Sequence, residues 1–113
     1  MGGLSLQKKA RLFDLFYFHK VVIYGAGVRG KQVINFFLNR GGKIEYILVS
    51  KCSENPKSVL GIKVKELTAL SYDNRAFTVV VATKEEYHKD IIAGLLSYHF
   101  REIIPLNDNW KEN

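Results

Sequence analysis

Residues 21–38 read VVIYGAGVRGKQVINFFL, and the fold turns on how the middle of that stretch is read. An apolar run meets three glycines and then an amphipathic segment. Gly25, Gly27 and Gly30 fit the spacing G-x-G-x-x-G. The same residues, GAGVRGKQ, come within one position of the phosphate-loop pattern G-x-x-x-x-G-K-[ST].

The triphosphate reading fails on its metal ligands. A phosphate loop needs Ser or Thr after the lysine to hold Mg²⁺, and here that position is Gln32. The later apolar run FTVVVAT, residues 77–83, has no acidic residue to complete the metal site. The dinucleotide-type reading fits better. Gly25 directly follows the first apolar run and allows a tight turn. Gly27 lets backbone come close to a phosphate, and Gly30 lets the helix lie on the strand. The helix start then offers free N–H groups and partial positive charge to an anion, with Arg29 as a mobile cation at the rim. The competing reading is that the glycines only close a tight strand-to-helix turn.

Working outward, residues 20–24 read as a strand buried on both faces, because the run is continuous rather than alternating. Residues 28–39 read as a helix with Val33, Ile34, Phe37 and Leu38 on one side. Lys31, Gln32, Asn35 and Asn39 lie on the other, and Gly41 and Gly42 end it. Ile44 to Val49 form a second strand, and SKCSENPKS (50–58) a polar loop. GIKV (61–64) is a short third strand, followed by a short helix or turn at 66–71. Phe77 to Ala82 form a fourth strand. Thr83 opens a second helix, with Glu86 at capping-box spacing and Tyr87, Ile91, Ile92, Leu95 and Leu96 as its buried face. Glu102 to Pro105 supply a last strand. Before all of these, residues 5–18 carry Leu12, Phe13, Leu15 and Phe16 at helical spacing, with Ser5 as cap.

Strands alternating with helices imply parallel pairing. The expected fold is α/β: a doubly wound parallel sheet of about five strands, Rossmann-like, ordered 3-2-1-4-5, with an extra N-terminal helix. Residues 1–19 form that helix, 20–106 the Rossmann-like nucleotide-binding domain, and 107–113 a tail or linker. Trp110 would be out of place in a free tail and is expected to pack on something.

The chain has 113 residues and is 47% hydrophobic, which suits one folded domain. No apolar run is long enough to span a bilayer. Residues 4–18 are interrupted by Gln7, Lys8, Lys9, Arg11 and Asp14, so they do not read as a secretory signal. Cys52 is alone, which excludes an intrachain disulfide or cysteine zinc cluster and makes a cytoplasmic setting the default. A net charge of +6 favours an anionic partner. The aromatics fall mostly in apolar runs rather than between basic residues. A phosphorylated small molecule is therefore expected over nucleic acid.

An NAD-binding unit usually carries Asp or Glu at the end of its second strand to hold the ribose hydroxyls. Here Val49 leads into Ser50 and Lys51. Lys51 would attract a 2′-phosphate, which suits NADP or another phosphorylated ligand; an ordinary solvated loop lysine is the alternative. No catalytic set emerges. No Tyr has Lys four residues later, and His19, His88 and His99 are isolated. His88 falls in the first turn of the second helix, near the crevice, where it would contact a phosphate or sugar or simply face solvent. His99 falls at a helix end, where a cation is favoured. Glu85 and Glu86 are adjacent, do not face each other, and complement a helix N-terminus. Cys52 reads as a plain thiol.

Taken together, VVIYGAGVRGKQV, ILVSKCSENPKSVLGIKV, FTVVVAT and REII resemble a bacterial family. It is the small Rossmann-like domain of surface-polysaccharide proteins, found fused to glycosyltransferases. Similar domains precede the β-helix of sugar acetyltransferases and the catalytic part of nucleotide-sugar dehydratases. The resemblance covers about residues 20–104 and is most specific in the middle: V-S, N-P, then L-G-I-x-V. It implies a nucleotide or nucleotide-sugar site over Gly25, Ala26, Gly27, Val28, Arg29 and Gly30, with contacts from Ser50, Ala82 and Thr83. Relatives often carry an acidic residue at the position of Lys51. The chemistry of those families lies in other domains, so the chain is expected to act with a catalytic domain of the same parent protein and to be non-catalytic by itself. Two alternatives stand beside this: a fragment of an NADP-linked oxidoreductase or dehydratase, and a non-binding scaffold that dimerises through Leu4, Leu6, Phe13, Phe16 and Phe18.

Overall fold

The computed structural model describes residues 20–50 and 55–110. The expected N-terminal helix, its apolar residues, His19, Lys51 and Cys52 lie outside the described residues.

The strand β1 (Lys20–Tyr24) is flanked on both sides by parallel partners, β2 (Ile44–Val49) and β5 (Phe77–Val81). That placement explains its unbroken apolar run. Val21 and Ile23 point to one face and join Val33, Ile34 and Phe37 of helix α1 (Val28–Leu38). Val22 and Tyr24 point to the other and join Val79, Val81 and Leu95. With period-two side chains and a helix on each face, every position must be apolar. Val21, Val22 and Ile23 are all fully buried.

The molecule is α/β, with one mostly parallel sheet whose helices cover opposite faces. Strand count and order differ from the expectation of five strands in the order 3-2-1-4-5. There are six, ordered β3-β4-β2-β1-β5-β6, where β3 is Ser58–Val59, β4 is Ile62–Glu66 and β6 is Glu102–Pro105. The difference arises in what read as the end of a polar loop. Ser58 and Val59 pair antiparallel with Lys63 and Ile62. The two-residue turn between them, Leu60–Gly61, takes positive φ at both positions, 52° and 81°. Such a turn matches the twist of a hairpin, and Leu60 conceals it from a sequence reading because leucine rarely adopts that conformation.

Helix α1 ends as expected: Gly41 has φ 77°, and the N–H of Gly42 donates to the Phe37 carbonyl at 3.0 Å. Leu38, placed on the buried side from the sequence, is instead exposed. The second helix departs further. Helix α2 is His88–Leu95, preceded by the 3₁₀ turn Glu85–Tyr87 and followed by the turn Leu96–Tyr98. The Thr83–Glu86 capping box does not form, since neither Lys84 nor Tyr87, which cap the turn and the helix, makes a side-chain cap. Tyr87 and Leu96 are exposed, Ile91 and Ile92 half-buried, and only Leu95 of the expected face is buried. A short helix interrupted by 3₁₀ turns cannot hold five residues on one stripe, because its angular period changes at both ends.

After β6 the chain turns onto the α1 face. Leu106 is buried, and Trp110 meets Phe36 edge-on at 5.1 Å. The Arg40 guanidinium covers the same Phe36 ring, 3.7 Å from its centre.

Candidate functional site

Four chain segments meet at the carboxyl edge of the sheet. The Gly25 N–H donates to the Leu48 carbonyl, and the Ala82 N–H donates to that of Tyr24, both at 2.9 Å. The Leu106 N–H donates to Val81 at 3.0 Å. From β1 the chain crosses to β2 on one side, while β5 lies on the other. This is a topological switch point, where open α/β sheets present a crevice.

Two glycines there are required by sterics. Gly25 has φ 128°, and a Cβ on it would lie 2.8 Å from the Ala82 oxygen and 3.2 Å from Thr83 Cγ2. A Cβ on Gly30 would overlap the Gly25 carbonyl. The helix thus starts directly against the turn that feeds it. Gly27 differs: it is exposed, and nothing lies within 4 Å of the place a Cβ would occupy. It caps α1 in an extended conformation without a side-chain hydrogen bond. The first intrahelical bond, from Lys31 N–H to the Gly27 carbonyl, leaves the N–H groups of Val28, Arg29 and Gly30 without acceptors among the described residues. The first turn holds no acidic residue.

Gly25, Gly30, Ala82 and Thr83 are therefore brought together, with Gly27 and Val28 on the open side and Ala26 half-buried against the core on the α1 face. Val28 is 74% exposed. Ser50 directly follows β2 and is exposed. Thr83 is half-buried, its hydroxyl 3.4 Å from the Lys84 carbonyl. His88 turns back rather than outward: its Nε2–H donates to the Thr83 carbonyl at 3.0 Å, fixing the loop after β5.

Arg29 is not free at the rim. Its Nη1 is ion-paired with Asp108. The Asp108 N–H in turn donates to Glu85 Oε1 at 2.7 Å. Segment 106–110 thereby links the turn after β1 to the loop after β5 through Glu85, which stands in the first turn of the 3₁₀ segment Glu85–Tyr87. Asp108 and Glu85 were not legible as site residues, since nothing in local spacing relates Arg29 to a carboxylate 79 positions away.

Among the described residues, no three His, Cys, Asp or Glu side chains gather as a metal site, and no helix is long and apolar enough to cross a membrane. No family model and no curated protein matches the chain.

Proposed function

We propose that the chain is a nucleotide- or nucleotide-sugar-binding module of a larger polysaccharide-biosynthesis protein, probed best as a receiver of a phosphoryl group at the first crossover. The observation that carries this reading is the open approach at Gly27 beside unpaired helix N–H groups. Backbone donors aimed along a helix axis favour an anion without any side chain. Gly27 supplies the open approach, while Gly25 and Gly30 shape the turn behind it. The described residues at the end of β2 supply no carboxylate for a ribose, so the nucleoside end of the ligand would depend on other contacts.

Calorimetric titration of the purified chain with UDP-sugars, NADP and coenzyme A compounds tests the proposal. Saturable heat with one class is the expected result. No heat with any of them would leave the scaffold reading. That second reading is favoured by one observation: Asp108 already occupies Arg29 and sets a carboxylate near the opening.

A further inference from the structure

At the opposite edge of the sheet, a pocket of about 210 Å³ is lined by Tyr72, Arg75 and His99. Tyr72 and Arg75 precede the start of β5, and His99 precedes the start of β6. The glycine turn leaves the end of β1, and all three strands run parallel. The two places therefore share no residue.

The pocket is held by bonds from beneath. The Asn74 side chain is buried, and its Nδ2 donates to the carbonyls of Ser71 and Tyr98 at 2.9 and 2.8 Å. The Phe77 N–H donates to Asn74 and the Arg101 N–H to Phe77. Tyr72 stacks on Tyr98 with centroids 5.1 Å apart and planes at 24°. Tyr98 is buried and Tyr72 is 66% exposed, so one ring supports the other and leaves an outer aromatic face to solvent. His99 adopts the left-handed conformation, φ 55° and ψ 50°, uncommon for a residue other than glycine. That geometry turns its ring so that Nδ1 lies 2.8 Å from the Tyr72 carbonyl.

The chemistry of each group is then set. A carbonyl only accepts, so Nδ1 carries the proton, and Nε2 of the neutral ring is an acceptor. Arg75 spends Nε and Nη2 on the Asp73 carboxylate, at 3.0 and 3.3 Å, which offsets part of its charge and leaves Nη1 as a donor. An aromatic face, one acceptor and one cationic donor lie around a space smaller than the roughly 300–1,000 Å³ of drug-sized sites. We infer that this pocket binds a small planar ring bearing an O–H or N–H donor and a separate anionic group. The ring would stack on Tyr72, donate to His99 Nε2 and present its anion to Arg75.

The test uses the isotope-labelled full chain and amide chemical shifts. Titration with 4-hydroxybenzoate is expected to move the signals of residues 72–75 and 98–101 saturably in the millimolar range. Its methyl ester, lacking the anion, and benzoate, lacking the donor, should each bind about tenfold more weakly, since each loses one of the hydrogen bonds that hold the ring. Tyr72→Leu and Arg75→Gln should each weaken binding by a similar factor; both side chains are exposed, and retained signal dispersion checks their folding. The ligand comparison decides the matter even without the variants. Absence of saturable shifts, or equal affinity for all three compounds, would overturn the inference. Neither outcome depends on what the glycine turn binds.

Discussion

Arg29, in the first turn of α1, is ion-paired with Asp108, two residues past the buried Leu106. The pair closes a loop through most of the chain and lies beside the helix start that the glycines hold open. Both side chains are substantially exposed, at 35% and 49%. Exposed pairs contribute about 0–1 kcal/mol. Asp108→Asn should therefore leave the thermal midpoint nearly unchanged. If the crossover receives a phosphoryl group, the same substitution should tighten UDP or NADP binding several-fold by freeing Arg29, and Arg29→Gln should weaken it. Calorimetry on both variants separates a competing carboxylate from a merely structural one.

The three glycines should respond differently to alanine. Gly25→Ala and Gly30→Ala force a methyl group onto backbone, and Gly25 also needs positive φ. Each should lose about 2 kcal/mol or more in urea unfolding. Gly27→Ala meets open space at an ordinary φ of −87°. Because glycine is a better helix N-cap than alanine, stability should fall by only about 0.5–1 kcal/mol. Any loss of anion affinity in that variant would then report on the opening rather than on the fold.

Thr78 lies within β5, fully buried, and its hydroxyl has no hydrogen-bond partner among the described residues. A buried unsatisfied hydroxyl costs about 1–3 kcal/mol, and valine has nearly the same shape. Thr78→Val is expected to stabilise the chain by about 1 kcal/mol, read as a higher urea midpoint with unchanged slope. A lower midpoint would mean that the hydroxyl is satisfied after all.

Tyr46 should make the fold sensitive to alkali. Burial, and then the charge of Glu45, raise its phenol from 10.0 to about 12. A folded-state value above the unfolded one means that the unfolded chain releases its proton first. The stabilisation is complete below pH 10 and declines as pH rises towards 12. The loss across that window should be on the order of 2 kcal/mol. Tyr46→Phe should flatten the decline, measured by urea unfolding at successive pH values. The Lys65 ammonium lies 4.3 Å from the Tyr46 ring centre, so Lys65→Met is expected to cost a smaller amount at neutral pH.

Much of this architecture follows from local chemistry. The run VVIY, buried on both sides, can only be a central strand once helices cover both faces. Gly25 and Gly30 announce a helix pressed against the turn before it, and Gly41 ends that helix where its φ requires. These features depend on neighbours in the chain, so residue order alone determines them. What the order does not contain is which distant groups meet. The pairing of Ser58 and Val59 with β4 rests on an unusual Leu60 conformation. The outward placement of Leu38 and Leu96 depends on how much of each helix its neighbours cover. Asp108 reaches Arg29, and Asn74 reaches Tyr98, only because β5 and β6 lie side by side. Periodicity reports which face a residue takes within its own element; tertiary packing alone decides what stands opposite that face, because that contact is made across loops whose span leaves no local trace.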